Sequence, residues 1–282
     1  MAKAPAQQAY ELDEDGYLRE IVGPWVQDKH ARLARYIGIS QSVRAKFVGR
    51  GKAGATFIDL YSGPGRARVR DEIQAIHGSP LVAWHEAVDG GAAFTQIHVA
   101  DADSQFSEAV DARLKRIHAP VFAETGSAIE TVDRVVSKLD PYALHFAFLD
   151  PYNLGDLPFD IIRKLAGLKR MDILIHVSIQ DLQRNLQRYI DSENSPLDGF
   201  APGWRTQVDV SRAAKLVRAK FLEYWRSLLT AETMTTTETA ELIVGGKNQR
   251  LYLLAFAARH ERALDFWEKV RNVDGDQQPL LL

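Results

Sequence analysis

Short apolar runs rich in β-branched and aromatic residues recur along the chain, separated by stretches in which apolar residues return every three or four positions. The first pattern predicts buried strands and the second amphipathic helices. Strands are expected at residues 56–60, 96–100, 120–123, 144–149 and 172–177. A lead-in helix is expected from Pro24, where Trp25, Lys29, Leu33 and Tyr36 or Ile37 share one face; others are expected at 81–88, 104–117, 128–139, 160–167 and 211–229. Short strands alternating with helices imply βαβ units and a parallel sheet. The last two apolar runs, 240–244 and 251–257, are joined only by the turn-rich 245–250. A parallel crossover needs about a dozen residues or more, so these two must form an antiparallel hairpin. The expected architecture is α/β: a Rossmann-like, mostly parallel sheet of seven strands with a C-terminal antiparallel hairpin and helices on both faces.

Residues 1–20 are polar with Pro and Gly and read as a flexible tail, leaving 21–282 as a single domain with insertions near 66–95 and 190–210. The second insertion shifts to Ser, Pro, Gly and Asp and is expected to be irregular, with a lid as one role for it. Hydrophobic residues make up 46% and charged residues 26%, which argues for a full core and against long disorder. The chain has no cysteine, which removes disulfides, cysteine nucleophiles and thiolate metal sites. No apolar run approaches the roughly eighteen residues of a membrane span, and the N-terminus lacks the apolar stretch of a signal peptide. No membrane association and a cytoplasmic location are therefore expected. A formal charge of −2 gives no overall pull towards nucleic acid. The local basic groups Arg66/Arg68/Arg70, Arg184 and Arg188, and Arg212/Lys215/Arg218/Lys220 each read first as a solvated face.

The first strand runs into Asp59-Leu60-Tyr61-Ser62-Gly63-Pro64-Gly65. Such a loop brings bare backbone to the carboxyl edge of a parallel sheet, where open α/β folds bind ligands. A dinucleotide loop would carry a third glycine three residues after the second, with an acid about twenty residues further on. Position 68 is Arg, and the next acid at a strand end is Asp101. Asp59 suits a cationic cofactor bearing an amino acid, S-adenosyl-L-methionine (SAM), whereas it would repel a pyrophosphate. Asp101 can accept hydrogen bonds from two ribose hydroxyls, while Asp103 precedes a helix start and reads as a cap. Ser127, after the third strand, stands where an acid beside an adenine amino group is common, and equally reads as a helix N-cap. The expected cofactor site is thus Asp59, Tyr61, Ser62, Gly63, Gly65, Asp101 and Ser127.

The fourth strand ends in Asp150-Pro151-Tyr152-Asn153. Methyl transfer to an amine requires placing the nucleophile in line with the donor. In amino-methyltransferases an Asp- or Asn-Pro-Pro-aromatic run does this, with the aromatic ring stacked on a base. Here the second proline is missing and the aromatic residue comes one position early. Asp150, Pro151, Tyr152 and Asn153 are the candidate catalytic residues, with Tyr152 as a base-stacking surface. The eight histidines lack metal-ligand spacing, and no metal is expected. His98 and His145 read as interior residues; His176, near a strand end, shares the edge of the cofactor loop.

These residues give the chain a resemblance to the three-Cys-motif partner protein family, bacterial proteins with a methyltransferase-like fold. The similarity is carried by 25–29 with Leu33 and Tyr36, by 57–65, by 78–81, by 148–152, and by 251–260 with Trp267. It departs at His176, where Asn is expected, and in the Arg-rich 66–70 segment. The resemblance implies a class I SAM-dependent methyltransferase fold and a protein partner encoded nearby. The function expected is SAM-dependent methylation of a nitrogen on a nucleic acid base. The alternative is a catalytically inactive methyltransferase-like module that serves as an assembly partner for a neighbouring cysteine-motif protein.

Overall fold

The structure, a computed structural model, describes residues 9–236, 239–245, 249–271 and 279–281. Its elements begin with β1 (Tyr10–Leu12), β2 (Leu18–Val22), α1 (Trp25–Ile39), α2 (Gln41–Arg44), β3 (Ala55–Asp59), β4 (Arg66–Val69), β5 (Ala75–His77) and α3 (Ser79–Asp89). The alternating region follows: β6 (Gln96–Asp101), α4 (Ser104–Arg116), β7 (Val121–Thr125), α5 (Ala128–Val136), β8 (Leu144–Leu149), α6 (Phe159–Ala166) and β9 (Met171–Ser178). The rest comprises α7 (Ile179–Asp191), α8 (Pro196–Phe200), α9 (Trp204–Gln207), α10 (Ala214–Ala231), β10 (Thr235–Thr236), β11 (Thr239–Gly245), β12 (Gln249–Ala258), α11 (Glu261–Arg271) and β13 (Pro279–Leu281).

The main sheet has the order β13-β11-β12-β9-β8-β3-β6-β7. Strands β7, β6, β3, β8 and β9 are parallel, and β12 enters antiparallel between β9 and β11. This is the expected parallel sheet with its reversed hairpin. Two short strands extend it, β13 on β11 and β10 on β12. Alternation on the central strands explains why helices cover both faces. Ile58, Ala147, Leu149, Ile173 and Ile175 point into the core under α5, α6, α7 and α10. Ala55, Phe57, Phe146, Phe148 and Leu174 point into the core under α1, α3, α4 and α11. A strand buried on both faces reads as a continuous apolar run, which is why these were visible in the sequence.

Two regions depart from expectation. Residues 10–12 and 18–20, inside the expected tail of 1–20, belong to strands β1 and β2 of a second sheet of order β1-β2-β4-β5, in which β2 pairs in parallel with β4. The first insertion therefore pairs with the chain start rather than standing alone. The second insertion is packed: Leu197, Phe200 and Trp204 are fully buried, and the Phe200 ring stacks on Trp225 of α10 at 5.2 Å. Its Ser, Pro and Gly residues serve as helix starts and turns, with Ser195 capping α8. The N-terminal residues 1–8 lie outside the described residues.

Candidate active site

Parallel strands β3, β6 and β8 all end at one edge of the sheet; β3 and β6 end in Asp59 and Asp101, and Asp150 directly follows the last residue of β8. Asp59 is completely buried; it accepts from the Ser79 hydroxyl (2.6 Å) and from the Tyr61 amide (3.0 Å). Burial pushes its carboxyl up to about 7, against those two hydrogen bonds. Asp101 accepts from the amides of Gly63 (3.0 Å) and Asp103 (2.9 Å), so it ties the end of β6 to the glycine loop. Burial raises its carboxyl as well.

The loop is shaped by left-handed backbone at Gly63 (φ +55°) and Gly65 (φ +81°), a region costly for other residues. The two glycines have different duties. A Cβ on Gly65 would sit 2.9 Å from both Leu81 and Val110, so this glycine permits close packing of α3 and α4 beneath the loop. A Cβ on Gly63 would meet the Glu20 carboxylate at 3.1 Å. Glu20, on β2, thus leans over the loop, and burial pushes its carboxyl up to about 7, helped by Asp150 and Asp101 and opposed by Lys29. The Ser62 hydroxyl is spent on the Ala100 and Gly63 carbonyls, and the Tyr61 hydroxyl donates to the Asp156 carbonyl (2.6 Å).

Ser127 begins α5 by donating its amide and its hydroxyl to the Glu130 carboxylate (2.8 and 2.7 Å). The helix-start reading of Ser127 is therefore realised. Asn153 caps the turn Leu154–Asp156 through Gly155 and Asp156 amides and donates to the Asp156 carboxylate at 2.7 Å. Tyr152 is 91% exposed, an unsupported ring at the mouth of the site.

Asp150 is held from two sides. Lys29 Nζ, on α1, ion-pairs with its Oδ2, and His176 Nδ1 lies 3.2 Å from its Oδ1. The same His176 nitrogen donates to the Pro151 carbonyl (3.2 Å). Burial lowers His176 to about 4, so the ring is neutral at pH 7 and the Nδ1 proton is shared between these acceptors. Burial alone would raise the Asp150 carboxyl, but Lys29 and His176 outweigh it and the net direction is downward. The ring of Tyr252 completes this corner, edge-on to His176 at 4.5 Å and 5.8 Å from Lys29 Nζ.

The strand-end acids and the glycine loop lie together at one edge of the sheet. Three contributors were not singled out: Glu20 because it lay in the presumed tail, Ser79 because its partner is twenty positions earlier, and Lys29 because it sits on the buried face of a helix. A lysine among apolar positions of an amphipathic helix was the available signal, since buried lysines are nearly always paired. The Arg66/Arg68 patch is consumed by Asp13 and Glu11, as a solvated ion-paired face would be. Among the described residues no group of three or more His, Asp or Glu could hold a metal, and no helix is long and apolar enough to cross a membrane.

No protein-family model matches the sequence, and no curated protein matches it either. Solved structures do match in fold. A protein from Legionella pneumophila superposes with a TM-score of 0.53 at 8% identity over 89% of this chain and 96% of that one. The DszA carbon methyltransferase gives 0.50 at 10% identity over 83% of this chain and 54% of that one, so the chain spans about half of that protein's length. The O-methyltransferase from Bacillus cereus in complex with SAH gives 0.48 at 13% identity, over 84% of this chain and 82% of that one. With five parallel strands and a reversed β12 inserted beside β9, the chain has the Rossmann-like class I methyltransferase fold.

Proposed function

We propose that the chain binds SAM at the Gly63 loop and transfers its methyl group to a nitrogen of a nucleic acid base. The observation that carries the first half is electrostatic. Glu20, Asp59 and Asp101 surround one glycine turn, and all three are shifted towards their protonated forms. Among the described residues none of the three is ion-paired. A group of acids so placed calls for a cationic ligand. SAM, with its ammonium and sulfonium centres, supplies an electrophilic methyl group when bound. Gly63 gives it backbone approach, Asp101 offers acceptors to the ribose, and Asp59 and Glu20 face the positive charge. Tyr61, Ser62 and Gly65 shape the loop, and Ser127 borders the adenine side.

On the acceptor side Asp150 and the Pro151 carbonyl are the polar pair that would orient an amine, and the exposed Tyr152 ring is the surface on which a base would stack. Asn153 sets the turn that presents Tyr152. The resemblance to the three-Cys-motif partner family, with its neighbouring protein partner, is part of this proposal.

A second reading is favoured by one observation: Asp150 and the Pro151 carbonyl are both already engaged, by Lys29 and His176. A module that binds SAM without catalysis, and serves a partner protein, would look like this. Titration calorimetry with SAM tests the cofactor. Micromolar binding is expected, weakened by about ten- to a hundredfold in Asp101→Ala, which deletes a charge-assisted hydrogen-bond acceptor. No binding, or equal binding by Asp101→Ala, overturns the proposal. Where SAM binds, tritiated methyl transfer to RNA and DNA separates the enzyme from the silent module.

A further inference from the structure

At the opposite edge of the sheet, behind the amino ends of β8 and β9, lies a cavity of about 420 Å³. This falls inside the range of about 300–1,000 Å³ typical of small-molecule sites. Its walls are apolar and ring-bearing: Phe47, Phe94, Phe146 and Phe266 line it with Val43 and Met171. Its charge is one-sided. Arg44, Lys46, Lys169, Arg170, Arg259 and Arg262 line it, against a single carboxyl, Asp172. In a chain of net charge −2 this is a local cationic excess.

The cations are not all spent within the fold. Arg44 and Arg259 donate mainly to carbonyls, and Arg170 to the Tyr142 carbonyl while it sits 5.4 Å over the Phe47 ring. Those contacts are to neutral acceptors, and among the described residues only Arg44 of the three has an acid, Glu86, acting on its charge. Lys46, Lys169 and Arg262 are exposed at the mouth, and no acid pairs with them among the described residues. Arg44 is buried, with the Nη2 atom lacking any hydrogen-bond partner. Inside, Asp172, which lines the cavity, receives the Tyr36 hydroxyl on Oδ2 (2.7 Å), and among the described residues no donor reaches its Oδ1.

We infer that this cavity is a second ligand site, separate from the Gly63 loop, for a small anion with an aromatic body: rings between the phenylalanines and a phosphate, sulfonate or carboxylate among Lys46, Lys169 and Arg262. A ring hydroxyl or amine would reach Asp172. The site does not depend on the methyltransferase proposal, since its residues come from the other edge of the sheet.

The chain has three methionines, Met1, Met171 and Met234, so methyl-labelled methionine gives a three-signal spectrum in which Met171, in the cavity wall, is assigned with Met171→Leu. Titration of the full chain with anilinonaphthalene sulfonate is expected to shift the Met171 signal saturably, with and without excess SAM. Lys169→Glu with Arg262→Glu should weaken this by about tenfold or more, while binding of the uncharged N-phenylnaphthylamine stays within about twofold. Both changes are at exposed positions and should preserve the fold, which the unmoved Met234 signal checks. A Met171 signal that does not respond, a response abolished by SAM, or equal affinity in the charge-reversed variant overturns the inference. Arms with phenyl phosphate and phenylacetate then distinguish phosphate from carboxylate ligands.

Discussion

Glu20 and Asp59 are carboxyls near 7 beside the Gly63 loop, and this gives ligand binding a pH signature. In the unfolded chain both lose their protons by about pH 5. Between there and about pH 7 the folded chain holds protons that the unfolded chain has released, so this pair costs stability as the pH rises. A cationic ligand reverses the balance inside the site: it favours both carboxylates and pulls their titration down. Binding near pH 6 must then release protons, and affinity must climb until about pH 8, by at most about tenfold per pH unit for each proton released. Calorimetry in buffers of different ionisation enthalpy should record this release for SAM, and Glu20→Gln should reduce it. Proton uptake, or an affinity flat across this range, would contradict the cationic-ligand assignment. Lys29, Asp150 and Asp101 also face Glu20, so the measured release is a property of the group rather than of one residue.

At the scale of elements, α1 does more than open the domain. Its Leu33, Tyr36 and Ile37 pack into one core, and that packing delivers Lys29 to Asp150, 121 positions away in sequence. Removing one partner of such a pair strands the other. Lys29→Ala should cost about 3 kcal/mol in denaturant unfolding, and Asp150→Asn in the same background should recover a sizeable part of it. If the double variant is no more stable than Lys29→Ala, the pair does not hold α1 to β8. The sequence made the strands legible because β3, β8 and β9 are buried on both faces and read as largely apolar runs, interrupted only by single polar residues such as His145 and His176. It hid Lys29 because its partner is set by tertiary packing and Glu20 because its place over the loop is, and it hid β1, β2, β4 and β5 because strands of three to five residues carry too few alternations to register. The parallel pairing of β2 with β4 joins residues some forty-seven apart, as with Glu20 and Ala67, and no local pattern announces such a pairing.

At the scale of the whole molecule, the question is what keeps the N-terminal sheet, and so Glu20, over the main sheet. Arg113 of α4 is the clearest tie. Only 3% exposed, it donates to both Asp15 oxygens (2.8 Å each), to Asp13, to the Leu18 carbonyl at the start of β2 and to the Pro64 carbonyl in the glycine loop. One guanidinium thus joins the β1–β2 turn, β2, the glycine loop and a helix packed on the main sheet. Arg113→Ala leaves Asp15 with only Arg116 at 3.7 Å, leaves Asp13 to Arg19 and Arg66, and removes the guanidinium donor from the Leu18 and Pro64 carbonyls. Because both carboxylates keep a cation, the expected cost is at the low end for a broken buried pair, about 3 kcal/mol. The loss should be uneven, because the core behind β3 does not involve Arg113. Hydrogen exchange should quicken first in β1, β2 and β4, with β8 and β9 still protected, and SAM affinity should fall with the ordering of the loop. Arg113→Lys, which keeps the charge but not the planar fork, should recover only part of both. Uniform acceleration across both sheets would mean that the two unfold as one unit; acceleration confined to the N-terminal sheet, with weakened SAM binding, would identify that sheet as the cover of the site.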